Sequence, residues 1–87
     1  MNNDIDNLKK RLVYRSQYRG TKEMDKLIGS FVQIHIDQLD VKELNELEKF
    51  LNIDDDILYK FFNNQIKQLN FVESKILELF KGFKYKK

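Results

Sequence analysis

The amino-acid sequence predicts an all-α fold, a small five-helix bundle forming a single domain over residues 1–87, on three observations. Apolar residues recur at three- and four-residue intervals along almost the whole chain, whereas the two-residue alternation of half-buried strands is sustained nowhere. Proline is absent and glycine occurs only at Gly20, Gly29 and Gly82, so few positions interrupt a helix. Polar residues of the capping type precede several of the apolar stripes.

Ile5, Leu8 and Leu12 predict a first helix over about 4–17. Met24, Leu27, Ile28, Phe31, Ile34 and His35 predict a second over about 21–37. Asp40 with Glu43 three residues later reads as a capping box, each side chain bonding the other's backbone amide, ahead of the stripe Leu44, Leu47, Phe50 and Leu51. The run Asp54, Asp55 and Asp56 places carboxylates at the positive end of a fourth helix, Ile57 to about Asn63. Asn70 and Glu73 form another capping pattern before Val72, Ile76, Leu79, Phe80 and Phe83, the stripe of a fifth helix. The core is expected to span about 4–80, leaving a lysine-rich tail over 81–87 that frays.

Eighty-seven residues support one modest core, since a chain of this size buries only about 60% of the surface its unfolded form exposes. Cysteine is absent, which excludes disulfides, thiolate zinc sites and thiol catalysis. The polar, acid-bearing start at Met1–Asp6 resembles neither a secretory signal nor a transit peptide, and no apolar run approaches the roughly 18 residues of a membrane span. A cytoplasmic protein is expected, or a mitochondrial matrix protein if the chain is a processed organellar form.

The formal net charge of +2 conceals a segregated distribution. Residues 9–26 hold seven bases against Glu23 and Asp25, and residues 37–56 hold eight acids against Lys42 and Lys49. Such polarity orients encounters with a partner. The basic stretch over 9–26 is a solvated helix face, a protein-binding surface, or the phosphate-contacting surface of a small nucleic-acid-binding domain, although Glu23, Asp25 and the acidic region would oppose DNA.

His35 is the only histidine and lies beside the apolar stripe, where a structural role is expected. The triple aspartate suits helix capping better than a hard cation, because the positions an EF-hand loop gives to glycine and glutamate are Tyr59 and Gln65. No glycine-rich phosphate loop and no serine or cysteine nucleophile paired with a base can be drawn, so catalysis by this chain alone is not expected.

Arg19-Gly20-Thr21-Lys22-Glu23 joins the first two helices. Gly20 permits a positive φ and a close backbone approach, so it is either a helix-terminating glycine or part of a contact surface. Arg19 offers a planar fork for carboxylates or phosphates, and Glu23 an acceptor one turn into the next helix. Opposite charges flanking a bare backbone patch make a plausible docking point.

These residues also carry a resemblance. The run from Arg11 to Ser16, the Arg19-Gly20-x-x-Glu23 core, Phe31 with His35 and Leu39, Leu51, and the acidic cluster before Leu58 together resemble the succinate dehydrogenase assembly factor 2 family. Its hallmark is an RGxxE motif, and the likeness covers residues 11 to about 62. The resemblance implies a five-helix assembly factor that promotes covalent attachment of FAD to the flavoprotein subunit of succinate dehydrogenase, and in some bacteria of fumarate reductase. The histidine that attacks the flavin 8α-methyl carbon then belongs to the partner, and His35 has no such role.

By the same resemblance Arg19, Gly20 and Glu23 would face the partner, with Arg11 and Arg15 widening that face. The chain itself would hold no cofactor stably, would not insert into a membrane and would be a monomer when free. It departs from the family at Tyr18 and Thr21, which flank Arg19-Gly20 where many members have a second arginine and an apolar residue. Phe61 stands where a tryptophan is common, and the lysine-rich end differs from relatives' longer tails.

Overall fold

A computed structural model describes residues 3–66 and 75–83. Five helices follow one another: α1 (Asn3–Gln17), α2 (Lys22–His35), α3 (Val41–Leu51), α4 (Asp55–Phe62) and α5 (Lys75–Gly82). One 3-10 turn, Ile36–Gln38, extends α2, and there is no strand among the described residues. The capping pattern at Asn70–Glu73 lies outside them.

α1 carries Asp4 and Asp6 in its first turn and Arg15 in its last, the signs that complement a helix dipole. α2 starts at Thr21, whose hydroxyl accepts the amide of Met24 at 3.2 Å. It runs back along α1, because Lys9 in α1 pairs with Asp37 just beyond the end of α2 (3.8 Å). Gly29 lets the two helices approach closely: a Cβ there would lie 3.2 Å from Cγ of Gln17 and 3.6 Å from the carbonyl of Ser16. Ser16, fully buried at this crossing, donates its hydroxyl to the carbonyl of Val13 (2.7 Å) and so brings no unpaired group into the core.

The apolar face of α2 differs from the predicted stripe at one residue. Ile34 is 59% exposed, and Val32 and Ile36 are buried instead. At 100° per residue Ile34 lies about 120° from Ile28, beyond the edge of the buried arc, while Val32 lies within it.

The capping box of α3 forms as the sequence predicts, with Asp40 accepting from the Glu43 amide (2.8 Å) and Glu43 from the Asp40 amide (2.9 Å). Leu44, Leu47, Phe50 and Leu51 are all buried. α4 departs from expectation at its start. Asp54 occupies the N-cap position without a side-chain capping bond, Asp55 binds Arg19, and Asp56 pairs with Lys60 one turn on (3.2 Å). The three carboxylates therefore act separately, and α4 begins two residues before Ile57. It ends in a Schellman motif: Asn64 takes φ 61°, its amide bonds the Phe61 carbonyl (3.1 Å), and the Gln65 amide bonds that of Lys60 (2.8 Å).

The core is aromatic and centres on Phe80 of α5. Its ring lies 5.0 Å from Phe50 and 5.1 Å from Phe31, both edge-on, with Phe62 at 5.5 Å and Phe61 stacked at 6.3 Å. Such pairs add about 0.5–1.5 kcal/mol each beyond the apolar area they bury. The packing continues past residue 80, because Phe83 sets its ring edge-on to Phe31 at 5.4 Å. Lys81 and Gly82 accordingly belong to α5 rather than to a frayed tail. A single apolar cluster with buried residues from all five helices holds the α1–α2 turn and the α3–α4 turn at fixed places on its surface.

Candidate functional site

The segment singled out by sequence becomes a tight turn whose residues face different ways. α1 ends at Gln17, so Gly20 lies three residues past the last helical residue, beyond the usual place of a helix-terminating glycine. It adopts φ +125°, a torsion L-residues rarely take, and nothing stands within 4 Å of where a Cβ would be. Backbone torsion, not space, requires the glycine. Gly20, Thr21, Lys22 and Glu23 are all exposed.

Arg19 points the other way. Its side chain is only 9% exposed and its guanidinium binds the α3–α4 connection. Nε donates to the Asp55 carboxylate at 2.7 Å, Nη1 to the carbonyl of Leu51 at 2.5 Å, and Nη2 to the carbonyl of Ile53 at 2.8 Å. Its backbone amide donates to the carboxylate of Asp25 in the first turn of α2. The Leu51 carbonyl ends α3, where partial negative charge accumulates, and a cation there is favoured. The fork expected to meet a partner instead ties two turns of the same chain together, because Asp55 and the end of α3 lie within its reach.

Arg11 and Arg15 line the same side of α1. Arg15 donates to the side-chain oxygen of Asn52 (2.6 Å) and approaches Glu48 (3.8 Å), and Arg11 reaches the same Glu48 (3.6 Å). Residues 11, 15 and 19 therefore lean on the C-terminal half of α3 and on the α3–α4 connection. Much of the charge segregation is satisfied within the molecule, through exposed pairs worth about 0–1 kcal/mol each and the shielded Arg19–Asp55 pair.

Two residues outside the sequence-predicted set border this region. Tyr14 and Tyr18 are 63% and 66% exposed, with ring centroids 4.5 Å apart. They face Leu51–Asp55 across an open groove of about 460 Å³ that Arg15 and Arg19 also line. Their four-residue spacing, off the register of Leu8 and Leu12, was the available signal. Asp55 gave no comparable signal, because its partner lies 36 residues away.

His35 sits at the far end of α2, about 20 Å from Thr21 at 1.5 Å per residue. It is half-buried, with its ring 5.1 Å from that of Phe31, and burial holds its pKa below the ordinary 6.5. The unfolded chain thus takes up a proton near neutrality that the folded chain resists. Stability should fall as the pH drops from about 7 to 5.5, above the usual carboxylate range, and His35→Gln should flatten that slope. Urea unfolding midpoints across this window measure it; equal slopes in both proteins would contradict it. Among the described residues no three His, Asp or Glu side chains converge as metal ligands.

The profile of a family described as "Flavinator of succinate dehydrogenase" matches residues 10–84. A relative from Acetobacter pasteurianus named FAD assembly factor SdhE is 42% identical over 53 residues, covering 58% of this chain and 49% of the relative. Mitochondrial succinate dehydrogenase assembly factor 2 of Lodderomyces elongisporus is 37% identical over 79 residues, covering 86% of this chain and 48% of the relative. The protein of the same name from Saccharomyces cerevisiae is 31% identical over 86 residues, 94% of this chain and 53% of the relative. The chain thus spans about half of these relatives, and 20% of one from Aspergillus flavus. No solved structure matches. No described helix is long and apolar enough to cross a membrane. With the match running through the Arg19 turn and all five helices, the chain belongs to the family of succinate dehydrogenase flavinators.

Proposed function

We propose that this chain is an assembly factor and not an enzyme: it binds the flavoprotein subunit of succinate dehydrogenase and promotes covalent attachment of FAD to it. The observation behind the proposal is the family match over residues 10–84, which spans the exposed Gly20–Glu23 turn. Gly20 allows a partner's backbone to come close, Glu23 offers a carboxylate beside it, and Arg11 and Arg15 flank the contact. The attacking histidine is the partner's. The factor lowers the barrier by holding that histidine and the flavin in a reactive arrangement. The flavoprotein subunit of fumarate reductase is a second client of the same chemistry.

FAD stays with the partner in this proposal. The groove beside the turn is lined by Asp54 and Asp55 as well as by Arg15 and Arg19, whose guanidinium groups already donate to acceptors of the same chain, a poor lining for a pyrophosphate. The factor acts as a monomer in the bacterial cytoplasm or the mitochondrial matrix. A nucleic-acid role is disfavoured by Glu23 and Asp25 within the basic stretch and by the acids of residues 37–56 against which Lys9, Arg11, Arg15 and Arg19 lie, since these would repel phosphates.

Co-expression with the flavoprotein subunit, followed by covalent flavin fluorescence in a denaturing gel, tests the proposal. Labelling should rise with the factor and lose that gain with Gly20→Arg or Glu23→Ala while helical circular dichroism is kept. Equal labelling with and without the factor would refute it.

A further inference from the structure

We propose that Arg19 is a positioning residue and that Asp55 is its necessary anchor: together they hold the Gly20–Glu23 turn in the conformation on which a partner docks. The inference rests on the docking role proposed above. It assigns Asp55, on a different helix and 36 residues away, to the same functional unit.

All three guanidinium nitrogens of Arg19 donate to acceptors of the same chain, and the side chain is nearly closed to solvent. With three of the five guanidinium N–H groups committed, a partner carboxylate could take the whole fork only by displacing Asp55 or a carbonyl, which would leave a shielded polar group unpaired. Arg19 therefore does not greet the partner with a free fork.

The arrangement also brackets the turn. On one side the Arg19 amide donates to Asp25 in the first turn of α2; on the other its side chain grips Leu51, Ile53 and Asp55. Between these anchors and the Thr21 cap stands Gly20, the residue with the most backbone freedom to lose. Fixing Arg19 on both sides removes that freedom before a partner arrives, and ordering done in advance is not charged to binding. A lysine would keep the charge but could not serve three diverging acceptors from one ammonium in the same way.

A double-mutant cycle on the affinity for the isolated flavoprotein subunit separates positioning from direct contact. With positioning, Arg19→Lys and Asp55→Asn each weaken binding about tenfold, and the double variant is little weaker than either single one, because both break one device. With direct contact, Asp55→Asn releases the guanidinium and leaves affinity unchanged or tighter, while Arg19→Lys weakens it. Leu77→Ala, at a buried residue of α5 and outside both turns in the chain, serves as a control that lowers the melting temperature; it should leave affinity unchanged at temperatures where it is folded.

Amide hydrogen exchange of Arg19, Met24 and Asp25, whose amides are bonded at the turn, gives a reading in the free factor that needs no partner. It should speed up in both single variants and not in Leu77→Ala. Asp55→Asn with wild-type affinity overturns the inference whatever its exchange, as does wild-type exchange in both turn variants. If wild-type factor fails to bind the subunit, the docking proposal falls, and the exchange arm still judges whether the pair holds the turn.

Discussion

Gly20→Ala should abolish most of the gain in flavin attachment while costing only about 1–3 kcal/mol of stability, the usual range for one residue held in a disfavoured torsion. The position combines φ +125° with empty space around it. An added methyl meets no neighbour, so the cost is torsional, and the turn can escape it by relaxing. The relaxation moves exposed residues away from the geometry offered to a partner while the core below stays packed. Thermal melts should register a fall of about 4–8 °C per kcal/mol for a domain of this size. The gel assay should register a far larger loss. Wild-type labelling by Gly20→Ala would mean that the partner does not read this turn's backbone.

Phe80→Ala should have the largest effect on stability, about 3–5 kcal/mol, as expected for removing a buried aromatic ring and leaving a cavity. Phe80 is fully buried and its ring packs with those of Phe31, Phe50, Phe61 and Phe62, which belong to three other helices. Removing it leaves α5 with Ile76 and Leu77 as its buried anchors. A domain of this length has about 4–13 kcal/mol in total, so the variant should be largely unfolded near 37 °C or melt well below wild type. Phe83→Ala, at a half-buried ring, should cost clearly less. Equal melting temperatures for the two variants would contradict the central place given to Phe80.

The helices were legible in the sequence wherever a local rule governs them. The Asp40–Glu43 box formed because both partners lie within one turn, and the α3 stripe is buried as its spacing predicts. Local rules misplaced Ile34 because the width of a buried arc depends on which neighbours pack against it, and the 3-10 turn carries Ile36 inward instead. They also gave three adjacent aspartates one shared role. Asp55 has another, binding a guanidinium from the opposite turn, while Asp54 holds the N-cap position without a side-chain capping bond.

The candidate site was legible as a string of residues and not as a surface. The order Arg19, Gly20 and Glu23 comes from sequence, whereas the need for glycine at position 20 comes from the torsion the folded turn imposes. The direction each side chain faces does not, because it depends on what the fold brings within hydrogen-bonding reach. The sequence by itself determined the helical class, the capping of α3 and the family to which the Arg19 turn points. Only the tertiary structure decided that Arg19 turns inward to Asp55 while Gly20 and Glu23 stay exposed, for a physical reason: short-range propensities and caps act within a few residues, whereas a shielded charge finds its partner through space.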